Sequence, residues 1–167
     1  MIRKRITIGI DPSVSSNKFA YAVVNWETKT ATVGVFRDFF EFQDLAVELA
    51  GKEGVSAAVD NSNAQNVTFK SKGSKAQVAK ISRNVGRNQE VSELCLAWFK
   101  KLGIPHRSVS PSSSGQKKSD GYILGRLRAE GLTLVEGRLA CYAKGRNKGR
   151  LREDVRDALE LALDWAL

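Results

Sequence analysis

The sequence predicts one α/β domain, a mixed five-stranded sheet whose first three strands are antiparallel, with helices on both faces. Three observations carry that expectation. β-Branched segments crowd the first 36 residues, the last two joined by a short link; a nearly continuous apolar segment follows a first helical stretch, and a long amphipathic run separates it from the next strand. A chain of 167 residues with 42% hydrophobic content suits one core, so residues 1–167 are read as a single domain.

Each element has its own local reason. Ile6 to Asp11 alternates and is β-branched, and it stops at Asp11-Pro12, a turn-favouring pair. Phe19 to Asn25 and Thr30 to Phe36 are strands, and the short link Trp26-Glu-Thr-Lys29 makes them a hairpin. Glu41 to Lys52 is helical, with Phe42, Leu45, Ala46 and Leu49 spaced by three and four. Gly54 breaks it, and Val55 to Asp60 is apolar enough for a strand buried on both faces. The polar stretch from Asn61 to Lys75 reads as an exposed loop. A long helix then runs from about Lys75 to Leu102, with Gly103 placed as its C-cap glycine. His106 to Val109 is a short strand, Pro111 to Lys118 a Ser-rich loop, and Tyr122 to Ala129 a short helix. Leu132 to Tyr142 is ambiguous, and a last helix spans about Glu153 to Ala166.

The charge balance narrows the partners. A formal charge of +9 and a pI near 9.8 favour nucleic acid over an anionic membrane surface. No apolar run approaches the ~20 residues needed to span a bilayer. The basic start, Met1-Ile-Arg-Lys-Arg, leads into an apolar run that Asp11 ends too soon for a signal peptide, so the chain is read as cytoplasmic. Cys95 and Cys141 form no C-x-x-C pair and His106 is alone, which argues against zinc. Cys95, on an apolar helix face, is expected to be buried, and His106 to have a structural or surface role.

Four carboxylates carry the chemistry. Asp11 and Asp60 each end a strand, and parallel neighbours would stand them side by side. Asp154 and Asp157 open the last helix three residues apart and so share one face. Carboxylates from separate elements meeting at one sheet edge are what magnesium or manganese requires, and two such ions can hydrolyse a phosphodiester. Singly, each has a plainer reading: turn residue for Asp11, strand exit for Asp60, and acidic first turn for Asp154 and Asp157.

Basic residues gather beside these carboxylates, where phosphate contacts would supply affinity. Lys70, Lys72 and Lys75 follow Asp60 in its loop. Lys80, Arg83 and Arg87 recur on the polar face of the long helix. Lys144, Arg146, Lys148, Arg150 and Arg152 precede the final carboxylate pair. For any one cluster the plain reading is a solvated face. Phe69 is placed to stack on a base or wedge an opened junction, or equally to fold back onto the core.

On these residues the chain resembles the RuvC-like Holliday-junction resolvases of the ribonuclease H-like superfamily. Gly9-Ile-Asp11-Pro12 is similar to the family's first motif, and Ala20-Tyr-Ala-Val23 to the small-aromatic-small pattern of its second strand. Asp154-Val-Arg-Asp157-Ala-Leu-Glu-Leu-Ala162 resembles its closing D-x-x-D-A-L-x-x-A helix, the most specific of the three. The likeness covers nearly the whole chain in element order. It implies a ribonuclease H-like fold and a homodimer acting on branched DNA, with no membrane and no small-molecule cofactor. Each site would hold two Mg2+ or Mn2+ ions on Asp11, Asp60, Asp154 and Asp157, and the enzyme would nick like-polarity strands of a four-way junction in pairs. Lys118, beside Lys117, resembles a family lysine that supports phosphate chemistry. The chain departs from the family at Asp60, where a glutamate is usual, and such departures fit a divergent, phage-type branch. Two rivals follow: a non-catalytic branched-DNA binder on the same fold, and an actin-like nucleotide binder, for which the chain is short and lacks a second phosphate loop.

Overall fold

The structure, a computed structural model, describes residues 4–15, 17–61, 75–109 and 118–166, and only the backbone at 76–86 and 88. The elements in order are β1 (Ile6–Asp11), β2 (Ala20–Asn25), β3 (Thr30–Val35), α1 (Phe39–Ala50), β4 (Val55–Asp60) and α2 (Lys75–Leu102). They continue with β5 (His106–Val109), α3 (Asp120–Ala129), β6 (Thr133–Glu136) and α4 (Glu153–Glu160), which widens into a π-helical turn over Leu161–Trp165. The strands form one sheet in the order β5-β4-β1-β2-β3-β6.

The expected five-stranded sheet is therefore corrected to six. The added strand, β6, lies in the ambiguous stretch after Leu132 and runs parallel to β3, from Thr30↔Thr133 to Val33↔Glu136. Its side chains are exposed apart from half-buried Leu134, so no apolar alternation is needed to hold it at the sheet edge and none marks it in the sequence. The first three strands are antiparallel as expected, and β4 pairs in parallel with both β1 and β5. In the link between β2 and β3, the Asn25 side chain accepts hydrogen bonds from the amides of Glu27 and Thr28, at 3.0 and 3.1 Å.

Helix starts shift by a residue or two where capping decides them. Asp38 caps α1 by accepting from the Glu41 amide at 2.9 Å, and Ser119 caps α3 by accepting from the Tyr122 amide at 3.1 Å. Two apolar layers flank the sheet. Ile6, Ile8, Ile10, Ala57 and Val59 face α1 and α2, packing on Phe42, Leu49, Cys95 and Phe99. Ala20, Ala22, Val24 and Val33 face α4, packing on Val155, Ala158, Leu159 and Leu163.

Candidate functional site

Register brings the first two carboxylates together. In the parallel pair of β1 and β4, Ile10 stands opposite Val59, so Asp11 and Asp60 are the next residues on adjacent strands. Strand alternation sends Ile8, Ile10, Ala57 and Val59 to the face covered by α1 and α2. Asp11 and Asp60, one step out of phase, project to the α4 face. Both are half-buried. The exit of β4 is pinned by α2: the Ser92 hydroxyl donates to the Asp60 carbonyl at 2.9 Å, and the Asn61 amide group donates to Glu93 at 3.1 Å.

The direction of α4 delivers the second pair. Its far end lies over the start of β4, where the Ser56 hydroxyl donates to the Ala166 carbonyl. Gly9 stands further along the sheet, since Thr7 is the residue in register with Ser56. There the helix backbone presses on the strand: a Cβ at Gly9 would lie 1.8 Å from the Ala158 carbonyl oxygen and 2.7 Å from the Ala162 nitrogen. From Ala166 back to Ala158, the helix thus runs toward the carboxyl ends of β1 and β4. Asp154 lies one turn, about 6 Å, beyond Ala158. Asp154 and Asp157 consequently come to the edge that carries Asp11 and Asp60, and both are half-buried.

The donor set is all hard oxygen, which suits magnesium or manganese and not zinc. The backbone brings the four carboxylates to one edge without closing them on a centre. Among the described residues, no group of three or more His, Cys, Asp or Glu side chains is gathered tightly enough to hold an ion. Carboxylates gathered at one edge repel one another, and a bound cation would offset that repulsion.

A basic loop leads into the start of α4 at this edge. The segment from Ala143 to Arg150 closes on itself as a loop: Cys141 and Leu151 form a β-bridge, the Tyr142 amide donates to the Arg150 carbonyl, and the Gly149 amide donates to the Tyr142 carbonyl. Gly145 and Gly149 take φ of 85° and 84°, a backbone that lets the loop turn twice. Arg146, Lys148 and Arg150 are all exposed on it, and it leads directly into α4. Lys118 precedes α3, its ammonium 5.3 Å from the Tyr122 ring centroid. Lys75 and Arg87 are exposed on α2. Phe69, Lys70, Lys72 and Lys117 lie outside the described residues, as do the side chains of Lys80 and Arg83.

Two expectations away from the edge hold. Cys95 is fully buried and burial pushes its thiol far up, so it is an inert core residue. His106 stacks on Phe99 and its Nδ1 is 2.8 Å from the Ile104 carbonyl. Three further residues shape the site although the sequence reading gives them no role of their own. Gly9 acts through helix approach. Glu160 sits a turn after Asp157, where burial raises its carboxyl pKa, Asp164 and Asp157 add to the rise, and Lys118 and Arg126 oppose it. Arg156 stands between the two helix carboxylates, where the D-x-x-D spacing treats it as filler.

No family model matches the chain, and no curated protein matches it. The solved structure of T. thermophilus RuvC in complex with Holliday junction substrate matches at a TM-score of 0.51 and 16% identity, covering 95% of this chain and 90% of that one. At that identity the likeness is one of fold, and it extends across the described sheet and helices. Among the described residues, no helix is long and apolar enough to cross a membrane.

Proposed function

We propose that this chain is a metal-dependent, structure-selective DNA endonuclease that resolves four-way junctions. The observation that carries the reading is the in-register placement of Asp11 and Asp60 on the face over which α4 delivers Asp154 and Asp157, beside a basic loop. A RuvC-like fold supports it. Asp11, Asp60, Asp154 and Asp157 would hold the divalent ions. Magnesium or manganese bound there would supply an activated water and charge stabilisation at the scissile phosphate. The chain's own residues do the rest. Arg146, Lys148 and Arg150 draw the DNA backbone to the edge, and Lys118 adds positive charge where the transition state gains negative charge. A two-fold junction suits a two-fold enzyme, so the active form is a homodimer, which sedimentation of the free protein in an analytical ultracentrifuge would report.

Asp60 favours one competing reading. Its side chain is one methylene shorter than a glutamate, which leaves room for a branched-DNA binder that does not cut. Incubating a synthetic four-way junction with magnesium or manganese, beside linear duplex and an RNA–DNA hybrid, separates the two. Symmetric paired nicks on the junction, lost in Asp157→Asn by a factor of about 100 or more, are expected of a metal-ligand role. Tight binding with no cleavage under either ion would favour the binder, and cleavage undiminished in Asp157→Asn would overturn the ligand assignment.

A further inference from the structure

We infer a second phosphate seat beside the carboxylate edge, in a hollow of about 580 Å³ lined by Lys118, Ser119, Asp120, Gly121, Arg150 and Arg156. Three cations from three separate segments face one cavity: the approach to α3, the basic loop and α4. The single carboxylate among them, Asp120, is already engaged, accepting from the Leu151 amide at 2.9 Å. That bond ties the end of the basic loop to the first turn of α3 and holds Arg150 at the rim. The Nε of Arg156 is buried and donates to no acceptor among the described residues. Arg156 itself lines the hollow, and a guanidinium there makes strong charge-assisted hydrogen bonds to an oxyanion. The first turn of α3 adds its partial positive charge. A lining this polar suits an oxyanion far better than an apolar ligand.

The seat's occupant is a backbone phosphodiester of the bound DNA, so the inference rests on DNA being the substrate. Arg156, which lines the hollow, is adjacent to Asp157 in the chain. The hollow therefore lies beside the start of α4, which carries Asp154 and Asp157. A strand whose scissile phosphate lies at the carboxylates would place a neighbouring phosphate in the hollow. Arg156 and Arg150 are then positioning residues that fix which phosphodiester meets the carboxylates.

The test is equilibrium binding of a four-way junction in EDTA, where nothing is cut, across a series of salt concentrations. Arg150→Gln/Arg156→Gln is expected to lower the slope of log affinity against log salt by about 0.9, the value for one neutralised phosphate. Arg156→Lys should keep most of the slope. Replacing junction phosphates singly by neutral methylphosphonate should expose one position where the wild type loses affinity and the double variant does not. Arg150 is exposed on its loop, so Arg150→Gln alone reports on the seat even if Arg156→Gln weakens the fold. Wild-type slope and methylphosphonate sensitivity in a folded double variant would overturn the inference. Binding without cleavage in magnesium or manganese would instead overturn the nuclease reading and leave the seat standing. Competition by inorganic phosphate at millimolar concentration, equal in wild type and double variant, would also count against the seat.

Discussion

Gly9 carries the architecture of the edge although it holds no functional group. The atoms that a Cβ would meet there are backbone, the Ala158 carbonyl oxygen and the Ala162 nitrogen, so no rotamer change can make room. Gly9→Ala should push α4 off β1 and destabilise the fold by about 3 kcal/mol or more in urea titration, as overpacking against rigid backbone does. Junction cleavage should fall with it, all four carboxylates being intact. Glu160 makes a subtler prediction. Burial is the main cause of its raised pKa, followed on the same side by Asp164 and Asp157. A carboxyl with a raised folded pKa costs nothing below its unfolded value, and its charged form then costs stability as pH rises through that value toward the folded one. Glu160→Gln should therefore raise Tm by about 1 °C at neutral pH, a small gain because the group is partly solvated, and the gain should vanish as pH falls below the ordinary carboxylate range. A Tm difference that grows on acidification would contradict this.

At the scale of elements, the sequence is most legible where one physical signal dominates. β1, β4 and α2 fall at their expected bounds because apolar runs or a capping glycine end them sharply, and β5 also falls where expected. Helix α1 starts at Phe39 because the Asp38 cap outranks the apolar spacing that begins at Phe42. β6 leaves little signal because three of its four side chains are exposed and only Leu134 packs on the core. The last helix reads in sequence as continuous to Ala166, but the π turn over Leu161–Trp165 widens it and buries Leu161 with Ala58, Val109 and Ala166. Of the candidate site, the carboxylates are visible as strand ends and a helix start, whereas their convergence depends on helix direction, which only the Gly9 and Ser56 contacts reveal. The basic loop is visible as composition, but the bridge that closes it is not. That closure has a consequence: Lys144, Arg146 and Lys148 move as one preformed element rather than a loose tail. Replacing all three by Gln should cut the salt slope of junction binding by about 0.9 for each phosphate no longer neutralised, with far less effect on Tm than on affinity. An unchanged slope would remove the loop from the DNA interface.

For the whole molecule, the decisive balance is between four carboxylates brought to one edge and a chain whose remaining charge is strongly positive, at +9 overall. The distant cations do little for the edge, since exposed charges are screened beyond about 10 Å at ordinary salt. Folding therefore brings like charges together, and the folded state should bind a divalent cation that the unfolded chain does not gather. Binding to the folded state alone stabilises by RT ln(1 + [L]/Kd), about 2.7 kcal/mol at a hundredfold excess over Kd. For a chain of this size that corresponds to a rise in Tm of about 5–10 °C on adding magnesium or manganese, saturating with concentration. Asp154→Asn should behave oppositely in the two conditions: more stable than wild type in EDTA, because one repelling charge is gone, and less stabilised by the ion, because one ligand is gone. Crossing curves of that kind distinguish a metal site from general charge screening, under which sodium at matched ionic strength would produce the same rise and Asp154→Asn would shift both curves equally. A wild type whose Tm ignores divalent ions would mean that the edge holds carboxylates without holding metal, and the non-cutting binder would then be the better account of this fold.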